Sequence, residues 1–170
     1  MPNRVANVFL MPGDYHVGDA RCRISTLLGS CVSITLWHPQ ALVGAMSHFV
    51  LSGTSSDGVR NARYSDDALQ LMLCKLRAKG VDPTECLAKV FGGGAMFDRT
   101  KSPGLPDVGR RNGEAARNLL LAHNIPIISE SLFGDGYRKI MFNVSTGDIW
   151  VNYVERAPQT AALGIKETTA

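Results

Sequence analysis

Two stretches of period-two alternation, each broken by a turn signal, constrain this chain more than any other feature. Val32, Ile34 and Leu36 alternate with Ser33 and Thr35, residues 38–41 (HPQA) turn, and residues 42–51 (LVGAMSHFVL) resume an apolar run. Further on, Ile140, Phe142 and Val144 alternate, residues 145–148 (STGD) turn, and Ile149, Val151 and Tyr153 alternate again. A period of two is that of a strand with one buried face. Two such runs around a short break read as a hairpin. Further strands are expected at residues 86–92 (CLAKVFG) and 125–133 (IPIISESLF).

Two segments carry the helical period instead. Leu69, Met72, Leu73 and Leu76 form one stripe, with Ser65 as expected cap, Asp66 and Asp67 in the first turn and Gly80 past the end. A second helix is expected from about Gly113 to His123, capped by Asn112, with Asn124 near its end. No repeat or low-complexity tract interrupts the chain. The fold expected is α+β: one domain over 1–170, layered and mostly antiparallel β-sheets, at least two helices packed outside, and a frayed tail after about residue 158.

Composition narrows the partners. Of 170 residues, 45% are apolar and 19% charged, an ordinary balance for a globular protein, and the formal net charge is only +3. The adjacent basic pairs are Arg110-Arg111 and Arg138-Lys139, too little for a nucleic-acid footprint. No apolar run reaches membrane-spanning length and no leader pattern opens the chain, so a cytoplasmic protein without membrane insertion is expected. Cys22, Cys31, Cys74 and Cys86 have no C-x-x-C spacing and no histidine cluster, which argues against a metal site. Reduced thiols are expected.

One thiol stands out. Gly29-Ser30-Cys31 is a small-residue break directly before a strand, and strand parity sets Cys31 on the Ser33/Thr35 face, away from Val32, Ile34 and Leu36. A structural cysteine more often joins the apolar face. A thiol needs a base to become a nucleophile at neutral pH, and the histidines are His16, His38, His48 and His123. A hairpin of residues 31–37 with 42–51 lays His48 alongside Cys31. Backbone N–H groups at Ser30 and Cys31 could then meet an oxyanion formed beside the sulfur.

The quoted pieces are also familiar as a set. LGSCV (28–32), VGAMSHFVL (43–51), RYSDDAL (63–69), AKVFGGGAMF (88–97), VGRRN (108–112) and YRKIMFNVSTGDIWV (137–151) occur in order. Together they resemble the CheD family of bacterial chemotaxis over about residues 17–154. The resemblance implies a fold similar to toxin-type deamidase domains and an enzyme that turns glutamines of methyl-accepting receptors into glutamates. It implies a Cys-His-Thr triad without a cofactor: Cys31 as nucleophile, His48 as base. Counting back from LGSC, the family threonine falls on Ser25, a departure. Ser25 is the expected third member and Thr26 the alternative. Gly92, Gly93, Arg111 and Asn112 are candidates for the substrate cleft.

The bland readings run alongside. FGGGAMF lacks the Gly-Lys-Ser/Thr of a phosphate loop and reads as a tight connection. Arg111 and Asn112 read as a solvated arginine and a cap, and Trp37 and Trp150 as core or edge packing. The expected partners are the cytoplasmic region of the receptors and, by the resemblance, a CheC-type phosphatase. A non-catalytic module binding either of these, another thiol acyl-transfer enzyme such as a protease or transglutaminase, and a receptor methylesterase are the competing functions.

Overall fold

A computed structural model describes residues 4–96, 104 and 106–155, and the backbone of 165–169. The elements in chain order are β1 (Ala6–Phe9), β2 (Tyr15–Gly18), β3 (Cys22–Leu28), β4 (Val32–His38), β5 (Val43–Ser47) and α1 (Ser65–Ala78). They continue with β6 (Leu87–Gly92), α2 (Val108–Ala122), β7 (Ile127–Leu132), β8 (Gly136–Asn143), β9 (Ile149–Glu155) and β10 (Ile165–Thr169). Two five-stranded sheets result, ordered β1-β3-β8-β9-β10 and β2-β5-β4-β6-β7. Among the named strands of the described residues, only β1/β3 and β6/β7 pair in parallel. The α+β expectation is met, as three layers: sheet, sheet, then both helices on one side.

Both hairpins form, β4 with β5 and β8 with β9. The reading of β4 as half-buried needs correction, because both of its faces are covered. Val32, Ile34 and Leu36 pack with the α1 stripe Leu69, Met72, Leu73 and Leu76. The opposite face looks at the first sheet, where Trp37 packs against the cluster of Ile24, Leu28, Met46, Phe91, Ile140 and Phe142. Ser33 and Thr35 are therefore buried too. Polar residues there mimic a solvent face in the sequence. Gly44 lets the sheets approach, since a Cβ there would lie 2.8 Å from the Phe142 ring.

The helix ends differ from expectation. Ser65 is inside α1, after Tyr64; its hydroxyl accepts from the Gly53 N–H and donates to Asp66. A local loop thus consumes the oxygen that a cap would use. Helix α2 begins five residues before Gly113, capped by Asp107, whose carboxylate accepts from the Arg110 N–H. Asn112 is consequently not a cap but a residue of the second helical turn. Gly80 and Asn124 follow the helix ends with φ of 77° and 57°. The tail is corrected in part: Ile165–Thr169 pairs with β9, while residues 156–164 lie outside the described ones. No helix among the described residues is long and apolar enough to cross a membrane.

Candidate active site

The break Gly29-Ser30-Cys31 is the place where the chain leaves the first sheet, at the end of β3, and enters the second, at the start of β4. A thiol there sits at the end of the inter-sheet space. Cys31 is half-buried on the Ser33/Thr35 face, and that face, read from the sequence as the one away from the apolar residues, itself packs against the inter-sheet apolar cluster. Strand β5 runs antiparallel beside it. The bridge Val32–Phe49 extends the β4/β5 register, which sets Cys31 opposite Val50 and makes His48 its diagonal neighbour on the same face. Such diagonal pairs have Cα atoms about 7–8 Å apart, close enough for an imidazole to reach over. Among the described residues no hydrogen bond joins thiol and ring; such contacts commonly tighten only when substrate is bound.

The imidazole is held from the other sheet. Strand β3 alternates buried Cys22, Ile24, Thr26 and Leu28 with Arg23, Ser25 and Leu27 on the outer face. Thr26, fully buried, lies 2.7 Å from His48 Nδ1 through its Oγ1. The same hydroxyl donates to the Leu10 carbonyl at 2.7 Å. A hydroxyl has one hydrogen and a carbonyl only accepts, so the Thr26 oxygen accepts from Nδ1–H. The proton is thereby fixed on Nδ1, and Nε2 keeps its lone pair. Backbone bonds complete the mount: the His48 N–H donates to Asp14, and its carbonyl accepts from Gly13. The hydroxyl at the imidazole is thus Thr26's. Ser25, the expected third member, projects from the opposite face of β3.

Electrostatics favour a neutral resting pair. Burial pushes the Cys31 thiol above its ordinary 9.0, opposed by the Arg63 charge and by the residue's own backbone N–H beside the sulfur. Burial lowers His48 below 6.5, opposed by the Leu10 carbonyl and the Asp14 charge. Both shifts favour the uncharged form of the group. Shifts in these directions favour general base catalysis on an arriving substrate over a preformed thiolate–imidazolium.

The glycine segment closes round the same turn. Gly93 N–H donates to the Cys31 carbonyl at 3.0 Å, and Gly94 N–H to that of Gly29 at 2.9 Å. Gly92 has φ of 109°, and a Cβ there would collide with the Cys31 carbonyl oxygen. The tight-connection reading of FGGGAMF is the observed one. Asn112 reaches in from α2, donating through Nδ2 to Ser30 and Val50 carbonyls. Gly92, Gly93 and Asn112 are therefore brought to Cys31 as packing partners, while Arg111 lies exposed on α2. Among the described residues no backbone carbonyl accepts from the N–H of Ser30 or Cys31; the Cys31 N–H lies beside its own sulfur.

Two contributors went unread in the sequence. The Leu10 carbonyl has no side-chain signal. Arg63 heads the RYSDDAL segment, and its charge counts only once the fold brings it near the thiol. Of the other thiols, Cys22 and Cys86 are buried and Cys74 is exposed.

Comparison with known proteins places the chain in a family. A family model described as CheD chemotactic sensory transduction matches residues 51–153. A protein of Albidiferax ferrireducens is 52% identical over 151 residues, which cover 87% of each chain. This chain belongs to the CheD family. The Albidiferax relative is named "Probable chemoreceptor glutamine deamidase CheD 2". A Dechloromonas aromatica protein named CheD 3 of the same activity is 40% identical over 158 residues, 92% of each chain. A Chromobacterium violaceum CheD 1 is 40% identical over 164 residues, 90% of this chain and 83% of its own. The CheD family model starts after His48. The Albidiferax match leaves fewer residues outside it than precede Thr26, so an alignment running unbroken along the chain spans the site.

Proposed function

We propose that this chain is a chemoreceptor glutamine deamidase, with Cys31 as nucleophile, His48 as general base and acid, and Thr26 as the residue that orients the ring. The observation carrying this reading is the Thr26–His48 hydrogen bond, which leaves Nε2 free on the face shared with Cys31. In the reaction, Nε2 takes the thiol proton as sulfur attacks the side-chain carbonyl carbon of a glutamine. The tetrahedral oxyanion is met by N–H groups of Ser30 and Cys31. The imidazolium gives its proton to the departing nitrogen, ammonia leaves, and a thioester remains on Cys31. Water, deprotonated by the same Nε2, attacks the thioester and releases glutamate and the thiol.

The activity named for the relatives and the presence of thiol, imidazole and hydroxyl at one place support an enzyme over a binding module. The protein substrate is the cytoplasmic part of a methyl-accepting receptor, met in the cytoplasm. A CheC-type phosphatase is a second partner that the family resemblance suggests. The test uses purified protein and the cytoplasmic, coiled-coil fragment of a receptor from the same organism, with peptide mass spectrometry as readout. Wild type converts specific glutamines to glutamates and Cys31→Ala converts none. Equal conversion by Cys31→Ala, or none by wild type bound to the fragment, overturns the reading.

A further inference from the structure

The turn that carries Cys31 has three consecutive carbonyls pinned and two amides left over. Gly94 N–H holds the Gly29 carbonyl and Gly93 N–H holds that of Cys31. Between them the Ser30 carbonyl accepts from Asn112 Nδ2 at 3.1 Å. The same nitrogen donates to the Val50 carbonyl at 2.8 Å, two residues past His48. Both partners are carbonyls, which only accept, so the amide end facing them is the NH2.

Asn112 is 1% exposed, and its Oδ1 has no hydrogen-bond partner. A buried oxygen without a partner is destabilising, and where a fold keeps one a functional reason is to be sought. Here the NH2 group supplies it. A peptide group is planar and trans, so its C=O and N–H point to opposite sides. Holding the Ser30 oxygen on the α2 side turns the Cys31 N–H away from α2. A donor on a carbonyl also strengthens the N–H of the same peptide as a donor. The next amide along, Val32 N–H, is taken by Phe49 in the ladder, so it is not available.

We propose that Asn112 is a positioning residue of the reaction: by clamping the Ser30 carbonyl it aims the Cys31 N–H at the oxyanion formed on the attacked side-chain carbon. The proposal rests on the deamidase reading above. Asn112 touches no reacting atom. Its effect passes through one peptide plane, and it concerns the developing negative charge, not the bound substrate or the sulfur.

That distinction sets the experiment. Asn112→Ala and Asn112→Asp are compared with wild type in three assays, each below the variant's melting temperature. The assays are kcat and KM on the receptor fragment, and the rate at which iodoacetamide alkylates Cys31. Alkylation displaces iodide at a saturated carbon and forms no oxyanion, so it reports on the thiol alone. Loss of one whole oxyanion donor lowers kcat about 10²–10³-fold; a misaimed one should lower it about ten- to a hundredfold. KM and the alkylation rate should stay within about threefold of wild type. Asn112→Asp keeps the shape of the side chain, so loss of fold on truncation to alanine does not end the test. A kcat within about twofold of wild type overturns the proposal, and so does alkylation that falls in step with kcat. Wild-type protein without turnover overturns the deamidase reading instead, and this proposal with it.

Discussion

At residue scale, Thr26 and Ser25 are adjacent hydroxyls with opposite fates. Thr26→Val removes the acceptor for Nδ1–H and the donor to Leu10. The ring is freed to place its proton on either nitrogen, and kcat should fall by roughly a hundredfold, within the range for a lost acid–base partner. Stability should fall by about 1–3 kcal/mol for the orphaned carbonyl. Thr26→Ser should restore most of both, whereas Ser25→Ala should stay within about threefold of wild type in the same assay. Parity along β3 carried this distinction, since Thr26 shares its face with Cys22, Ile24 and Leu28. The exposed Leu27 on the other face blurs that alternation, and a count back from the cysteine runs one residue too far. Cys31 and His48 were legible because a hairpin fixes their register; the carbonyl of Leu10 was not, because any residue could supply it.

The neutral pair has a signature of its own. Cys31 alkylation by iodoacetamide should keep rising with pH beyond 9.0, with no plateau near neutrality. A plateau below pH 7 would show a preformed thiolate and contradict the assignment. With His48 as the proposed base, the acid limb of turnover should lie below 6.5.

At the scale of elements, patterns told by side chains were readable and boundaries set by backbone were not. The α1 stripe and both hairpins follow from periodicity. The start of α2 did not, because Val108-Gly109-Arg110-Arg111 has no apolar period and Asn112 imitates a cap. Strand β10 was invisible for a related reason: Ile165–Thr169 is an edge segment of mixed polarity, and pairing with β9 needs only its backbone. The glycine segment shows the same limit. Its purpose appears only when Gly92 and Gly93 meet the Cys31 turn. Gly92→Ala should both strain the backbone at positive φ and push on the Cys31 carbonyl. A lower melting temperature together with lower kcat is expected. An unchanged variant in both thermal melts and turnover would show that the segment yields easily.

For the whole molecule, burial of titratable groups shapes stability against pH. His48 and His16 have lowered values in the fold, so their contribution is present above 6.5 and is lost as pH falls through the lowered values. Cys22, Cys31 and Cys86 are raised, Cys86 to about 11, so theirs is full below 9.0 and lost as pH rises through the raised values. Melting temperatures should therefore form a plateau between about pH 6.5 and 9 and fall on both sides. A melting temperature that climbs as pH drops below 6 would contradict the burial of these imidazoles.

The three layers place a thiol from the turn between sheets, an imidazole from one sheet and a hydroxyl from the other at one end of the inter-sheet space. The proposed reaction requires a thioester at Cys31, and hydroxylamine can intercept it. Receptor fragment, wild-type protein and hydroxylamine are incubated together, and the target glutamines are read by mass spectrometry. Hydroxamate is expected at the same glutamines that otherwise become glutamate, increasing with hydroxylamine and absent with Cys31→Ala. Glutamate alone at every hydroxylamine concentration, or hydroxamate formed by Cys31→Ala, would contradict it.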